Sequence, residues 1–223
     1  MRTISIIVIA TTMLLSFILA LDCEELEPAP FNGTIFIDND IITSDDPTTF
    51  VELYYNGNGL RTMYDRRVED WVDQEPFLFQ AKFDDGLEIE IQVNVEFGDY
   101  LKAKDEAEKY AIVIGRLTTE LRKDVETVWI HKGLKPFGGG NKNLLIHTDW
   151  SLEHYEEQGI LEETLVHEAS HTSLDSYHSK DPEWLSAQLK DCKFISTYAK
   201  DNPEREDIAE SYLPYLAIRY RPE

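Results

Sequence analysis

A chain of 223 residues is long enough to bury one sizeable core, with room for a small satellite beside it. It carries 43 Asp and Glu against 21 Lys and Arg, a formal net charge of −22. Such a surface repels phosphate backbones and anionic membranes, which sets aside nucleic-acid binding and stable membrane association.

In chain order, residues 1–20 read as a secretory signal peptide. Arg2 gives a positive start, an apolar run follows from Ile4 to Leu19, and Ile18-Leu19-Ala20 offers a cleavage site. Thr11, Thr12 and Ser16 interrupt that run, which is short for spanning a bilayer, and no later segment is apolar enough to do so. An exported chain with two cysteines, Cys23 and Cys192, is expected to pair them in one disulfide. Asn32-Gly33-Thr34 forms a glycosylation sequon, meaningful in a eukaryotic cell. Residues 21–60, rich in Asp, Asn, Pro and Gly toward the start, read as an N-terminal segment wrapping the main domain of 61–223, with a short strand near Thr34–Ile37. Asp38, Asp40, Asp45 and Asp46 lack the glycine and closing glutamate of an EF-hand loop and read as a solvated acidic loop.

From Phe77 the pattern sharpens. Phe77, Phe79, Ala81 and Phe83 alternate with other residues, Asp84-Asp85-Gly86 supplies a turn, and alternation resumes from Leu87 through Val95 and Phe97, which predicts a hairpin with one apolar face. Ala107, Tyr110, Ala111, Ile114, Leu117 and Leu121 fall at helical spacing. Thr127–Ile130 and Asn143–Thr148 read as strands separated by a flexible Gly138-Gly139-Gly140 loop. Three helices are expected to close the chain. The first runs from about Ile160 to Leu174, and the others are announced by Asp181-Pro182 and Asn202-Pro203, each an N-cap followed by proline. Pro214 should kink the last, because it cannot donate to the carbonyl of Glu210. A sheet with a packed helix followed by a helical C-terminal part is an α+β layout.

The chemistry lies in Leu165-Val166-His167-Glu168-Ala169-Ser170-His171. Two histidines four apart on a helix project from one face and reach the same metal ion, which points to zinc as the cofactor. Glu168 sits on the neighbouring flank, placed to take a proton from water at the metal and pass it to a leaving group. The plain alternative is two surface histidines and a solvated glutamate.

Such a zinc site needs a third protein ligand. Asp175, Tyr177 and His178 lie nearby, but Leu174 and Tyr177 stand where a metzincin would have glycine and histidine, and His178 is one residue out of step. Asp175 reads as an outer partner of a histidine or as a helix-end residue. In Glu206-Asp207-Ile208-Ala209-Glu210 the two glutamates share a helix face, so one can ligate the metal while the other accepts the free ring N–H of a ligating histidine. A solvated acidic first turn, favoured by the helix dipole, is the rival reading.

His167-Glu168-Ala169-Ser170-His171 followed by Glu206-Asp207-Ile208-Ala209-Glu210 resembles the gluzincin class of zinc metallopeptidases. The run from Phe194 to Ser211 is similar in layout to the catalytic domain of anthrax lethal factor and its relatives. The resemblance covers roughly the last sixty residues. It implies a zincin-like fold, His167, His171 and Glu206 as metal ligands, Glu168 as base, Glu210 as an outer-shell carboxylate and Tyr198 as oxyanion donor. The tyrosine-to-glutamate gap is one residue longer here than in that group.

The expectation is therefore a secreted zinc metallopeptidase, an endopeptidase acting on peptide or protein substrates. The alternatives are a secreted zinc-binding protein without catalysis and a zinc hydrolase acting on a non-peptide bond. His131 and His147 read as packed histidines, with His147 and its strand as a possible border of the cleft where an extended substrate adds as a strand. Trp184 reads as core or helix staple.

Overall fold

The computed structural model describes residues 25–35 and 41–220. The signal-peptide segment, Cys23, Asp38, Asp40 and the second half of the expected Thr34–Ile37 strand lie outside the described residues.

The architecture is mixed α+β. Strands β1 (Phe50–Asn58), β2 (Arg61–Asp65), β3 (Asp70–Gln74), β4 (Phe77–Phe83) and β5 (Glu88–Val93) come first. Helices α1 (Tyr100–Ile114) and α2 (Thr119–Arg122) follow, then β6 (Thr127–His131), β7 (Gly138–Gly140) and β8 (Asn143–His147). Helices α3 (Thr148–Ser151), α4 (Leu161–Ser173), α5 (Asp175–His178), α6 (Pro182–Lys190), α7 (Thr197–Asp201) and α8 (Asp207–Tyr220) complete the order. One six-stranded sheet has the order β1-β4-β5-β6-β8-β7, and β2 and β3 form a separate hairpin.

The predicted hairpin is β4–β5. Phe79 opposes Ile91 and Ala81 opposes Ile89, so one face is wholly apolar, with Gly86 (φ 86°) in the turn. That face buries against α1 through Ala103, Ala107, Tyr110, Ala111 and Ile114. The strand stops at Val93, earlier than the alternation predicts. The Asn94 side chain accepts from the Glu96 N–H and starts a tight turn, which still tucks Phe97 into the core. Helix α1 begins seven residues before the first periodic alanine, because Asp99 accepts from the Lys102 N–H and caps it. Leu117 falls in the connection and Leu121 in α2.

Three features depart from expectation. Strand β1 belongs to the main sheet as an edge beside β4, so the sheet begins inside the segment read as wrapping. Its residues are half-buried or exposed, which erased the alternation that would have announced it. The Gly138–Gly140 stretch is the opposite edge strand, antiparallel to β8, rather than a loop. Strand β8 is therefore interior, parallel to β6 and paired on both sides, so it has no edge to offer. At the C-terminus Asn202 closes α7 instead of opening a helix, and Glu206 occupies the turn before α8, its carbonyl accepting from the Glu210 N–H. Asp181 does cap α6, with Pro182 behind it, and Pro214 does lie inside α8.

Candidate metal centre

Helix α4 carries both motif histidines, and its surroundings are unusual for a surface element. Every one of its residues is buried except Glu168, which is half-buried. Leu161, Leu165, Val166 and Ala169 join the core under the sheet, and His167 and His171 turn toward α8. The reading of two solvated surface histidines does not survive this placement.

Strand β7 is pressed against the same helix. A Cβ added at Gly139 would lie 1.8 Å from the Glu168 carbonyl oxygen, so only glycine allows this approach. The next residue is stitched down as well: Gly140 N–H donates to Thr172 Oγ1 at 2.8 Å, and Thr172 donates to the Asn143 carbonyl at 2.9 Å.

Three buried side chains converge beyond His167 and His171. The two Nε2 atoms are 3.1 Å apart, and Glu206 Oε2 is 3.1 Å from that of His171 and 3.3 Å from that of His167. Tetrahedral coordination with bonds of about 2.0–2.1 Å would place ligand atoms about 3.3 Å from one another. The triangle has the dimensions of one face of such a tetrahedron, and the three residues could hold a metal ion.

The outward nitrogens decide the tautomers. His171 Nδ1 is 2.9 Å from Asp175 Oδ2, and His167 Nδ1 is 3.3 Å from Glu210 Oε1. Each carboxylate favours a proton on Nδ1, which leaves both Nε2 lone pairs aimed at one point, together with an oxygen of Glu206. Three lone pairs at this separation repel unless a cation lies between them.

The electrostatics agree. Burial works against the imidazolium of His167, but hydrogen bonds to Glu206 and Glu210, with the charge of Glu168, raise its pKa to about 10. Burial is likewise outweighed at His171, where Asp175 and Glu206 raise the pKa to about 9 against the opposing charge of His167. Burial would raise Glu206, yet the two histidines hold its carboxyl well below the usual carboxylate range. The pocket is built for positive charge.

Tyr198, on α7, is 36 % exposed. Burial first, then the charge of Glu206 and a hydrogen bond to it, raise its pKa, and Glu168 adds to the effect. The structure thus brings His167, Glu168, His171, Asp175, Tyr198, Glu206 and Glu210 into one neighbourhood. His178 is elsewhere, lining a cavity of about 530 Å³ with Trp184, Ile208 and Tyr212.

One participant had no signature in the sequence, the backbone N–H of Ile35. Glu210 is fully buried, and its second oxygen accepts from the backbone N–H of Ile35 at 2.9 Å. Ile35 belongs to a strap, residues 31–35, that runs beside α7. Thr197 N–H donates to the Phe31 carbonyl at 2.9 Å, Tyr198 N–H to that of Gly33 at 3.3 Å, and Gly33 N–H to Thr197 Oγ1 at 2.7 Å. A backbone donor leaves no trace in residue type. Replacing Ile35 with Pro removes that N–H and should weaken metal affinity by about tenfold, the low end for loss of an outer-shell partner, while Ile35→Ala retains the wild-type value. Competition with a chromogenic chelator reads both, and equal affinities would leave the strap without a part in the site.

The sequon residue Asn32 is exposed on this strap. Farther back, Glu27 N–H donates to the Cys192 carbonyl at 2.7 Å, so the strap's start runs beside Cys192. Cys192 is not free. Its expected partner Cys23 is among the residues not described.

His131 and His147 lie on the other face of the sheet and take no part. Their rings stack at 5.5 Å, fully buried. Asn94 Nδ2 is 3.0 Å from His131 Nδ1, and neither nitrogen of His147 has a hydrogen-bond partner. Burial is the main cause that lowers His131 to about 4 and His147 to about 3. In the unfolded chain both titrate near 6.5. Above that pH both states hold them neutral; below it only the unfolded chain gains protons, so stability falls with pH from about 6.5 toward 4 and 3. Urea midpoints measured at pH 7.5, 5.5 and 4.5 should show this decline, and His147→Phe should flatten it. An unchanged slope in that variant would assign the effect to carboxylates.

Comparison with protein-family models, curated proteins and solved structures found no match for this chain.

Proposed function

We propose that this chain is an exported zinc-dependent peptidase of the gluzincin kind, with His167, His171 and Glu206 as ligands. The observation that carries the reading is the convergence of three buried ligand atoms beside Glu168, the one residue of α4 left partly open. Structural zinc sites use four protein ligands, whereas catalytic ones use three and keep a position for substrate. Among the described residues the group has three members. Export rests on the apolar N-terminal run, and no helix among the described residues is long and apolar enough to cross a membrane.

When bound, zinc supplies Lewis acidity, polarising a carbonyl and making water a usable nucleophile near neutral pH. The chain's own residues do the rest. Asp175 and Glu210 hold the ring protons outward, so both Nε2 atoms remain ligands. Glu168 takes the proton of the attacking water and returns it to the departing amine. The Tyr198 hydroxyl donates a hydrogen bond to the oxygen that becomes negative in the transition state. As an edge strand packed on the Glu168 carbonyl, β7 presents backbone along which an extended peptide pairs, in place of the interior β8.

Metal analysis of the purified protein should find about one zinc per chain. Hydrolysis of a broad peptide library should stop on chelation and return with zinc. His167→Ala, His171→Ala and Glu206→Ala should each lose metal and hydrolysis together. A metal-free wild type that cleaves peptides, or cleavage indifferent to chelation, would refute the reading.

A further inference from the structure

On the face of the sheet opposite α4, a cavity of about 320 Å³ opens beside β7. Its floor is Trp129 of β6 and Leu145 of β8, and the β2–β3 hairpin walls it with Tyr64, Arg66 and Trp71. Tyr64 and Trp71 meet edge-on with centroids 5.6 Å apart, and Trp71 and Trp129 at 5.4 Å and 87°. Trp71 is 52 % exposed, although it belongs to this aromatic group.

The glycines of β7 lie between the cavity and α4. A Cβ at Gly138 would point to this side, 3.6 Å from Leu145 Cβ, whereas one at Gly139 would point at α4. Gly140 lines the cavity too and would meet nothing within 4 Å. At Gly138 the missing side chain makes room for the Arg66 guanidinium, whose Nη2 would lie 2.5 Å from an added Cβ, and at Gly140 it leaves the space free. Any strand added along β7 repeats this alternation, so if one residue stands over α4, its neighbours face the hairpin side.

We propose that this cavity selects the substrate: an extended peptide paired with β7 seats one aromatic side chain against Trp71 and Trp129. The proposal rests on the peptidase reading for its placement of the peptide. Aromatic rings gain from edge-to-face contact with the rings already there. Lysine or arginine, otherwise suited to tryptophan faces and to an acidic protein, meets the guanidinium of Arg66 at the wall. An acidic side chain finds mostly apolar walls, and Arg66 is already engaged, donating to the Pro136 carbonyl at 2.9 Å and to that of Phe137.

The test separates binding from hydrolysis. Zinc-loaded Glu168→Gln protein is used to retain peptides from a random library, and zinc-loaded wild type to cleave the same library. Retained peptides should be enriched in Phe, Tyr or Trp at one position, and cleaved peptides at one fixed distance from the scissile bond. Adding Trp71→Ala should reduce that preference about tenfold, with zinc content unchanged, and Trp71→Phe should restore most of it. Retention with aromatic enrichment but no cleavage by wild type would sink the peptidase reading and keep the pocket. Cleavage without an aromatic position, a preference for acidic or basic residues there, a preference surviving Trp71→Ala, or no retention at all would overturn the pocket. Thermal unfolding of the Trp71 variants verifies that the hairpin persists.

Discussion

Glu168→Gln should leave zinc content at the wild-type level while lowering peptide hydrolysis by about 10²–10⁴-fold, the range for loss of a positioned acid–base group. The amide keeps the shape and the helix but cannot accept a proton. The separation of effects follows from geometry. Among the described residues Glu168 lies outside the triangle of His167, His171 and Glu206, so a metal bound by those three would keep them all. Tyr198→Phe should cost less, about 10²-fold, if it removes the proposed donor to the developing oxyanion and leaves proton transfer intact. Both variants should be assayed with zinc bound, beside the wild type. Full activity in the Gln variant would mean that another base serves, and loss of zinc would mean that Glu168 had been misplaced outside the ligand set.

Gly139→Ala should be the most damaging small change in the cleft. Its added carbon would lie 1.8 Å from the Glu168 carbonyl oxygen, also 2.6 Å from the carbonyl carbon and 2.9 Å from the α-carbon. All three are backbone atoms of a buried helix, with no rotamer to yield. Either β7 leaves the sheet edge or α4 moves, and α4 carries two of the three proposed ligands. A stability loss of about 3 kcal/mol or more, at or beyond the upper end for overpacking, is expected, together with loss of hydrolysis. Gly138→Ala is the internal control: its carbon would meet Arg66 Nη2 at 2.5 Å, the far end of a flexible side chain that can swing aside. Urea denaturation should rank Gly139→Ala well below Gly138→Ala. Equal midpoints would show that β7 is not held against α4.

These two glycines also show where sequence reading ran out. A run of three glycines carries no period and no side-chain chemistry, so it reads as a loop. It forms a strand because Leu144 and Leu145 of β8 pair with it, a cause that lies outside the run itself. The same limit applies to Ile35, whose contribution is a backbone N–H, and to β1, whose half-buried pattern has no clean alternation. The β4–β5 hairpin was legible because one face is buried and the other is not, which writes a period of two into the residues. The ligand group was legible for another reason. A helix fixes His167 and His171 four apart, so the spacing itself encodes the geometry. Glu206 and Glu210 could be paired with them by kind and spacing, but the division of labour between the two came from resemblance, and the turn holding Glu206 was misread as helix. His147 reads as a cleft residue because a strand just before the motif helix commonly borders the cleft in zincins, whereas here β8 is interior and β7 is the edge.

The strap that carries Ile35 must find its place late in assembly. Residues 31–35 leave the ribosome well before their partners Ser196, Thr197, Tyr198 and Glu210, which lie 164 to 175 residues further along. The strap must wait, unpaired, while the sheet and α4 form from the intervening chain. Closing so long a loop comes late, after the contacts between near neighbours have reduced the freedom of its ends. The two histidines on α4 are in place from the moment that helix forms, but Glu206 and the support for Glu210 arrive only with the final turn of events. Completion of the three-residue group thus waits for contacts between parts of the chain far apart in sequence. A chain cut before Glu206 would keep the two histidines of α4 without the carboxylate that joins them.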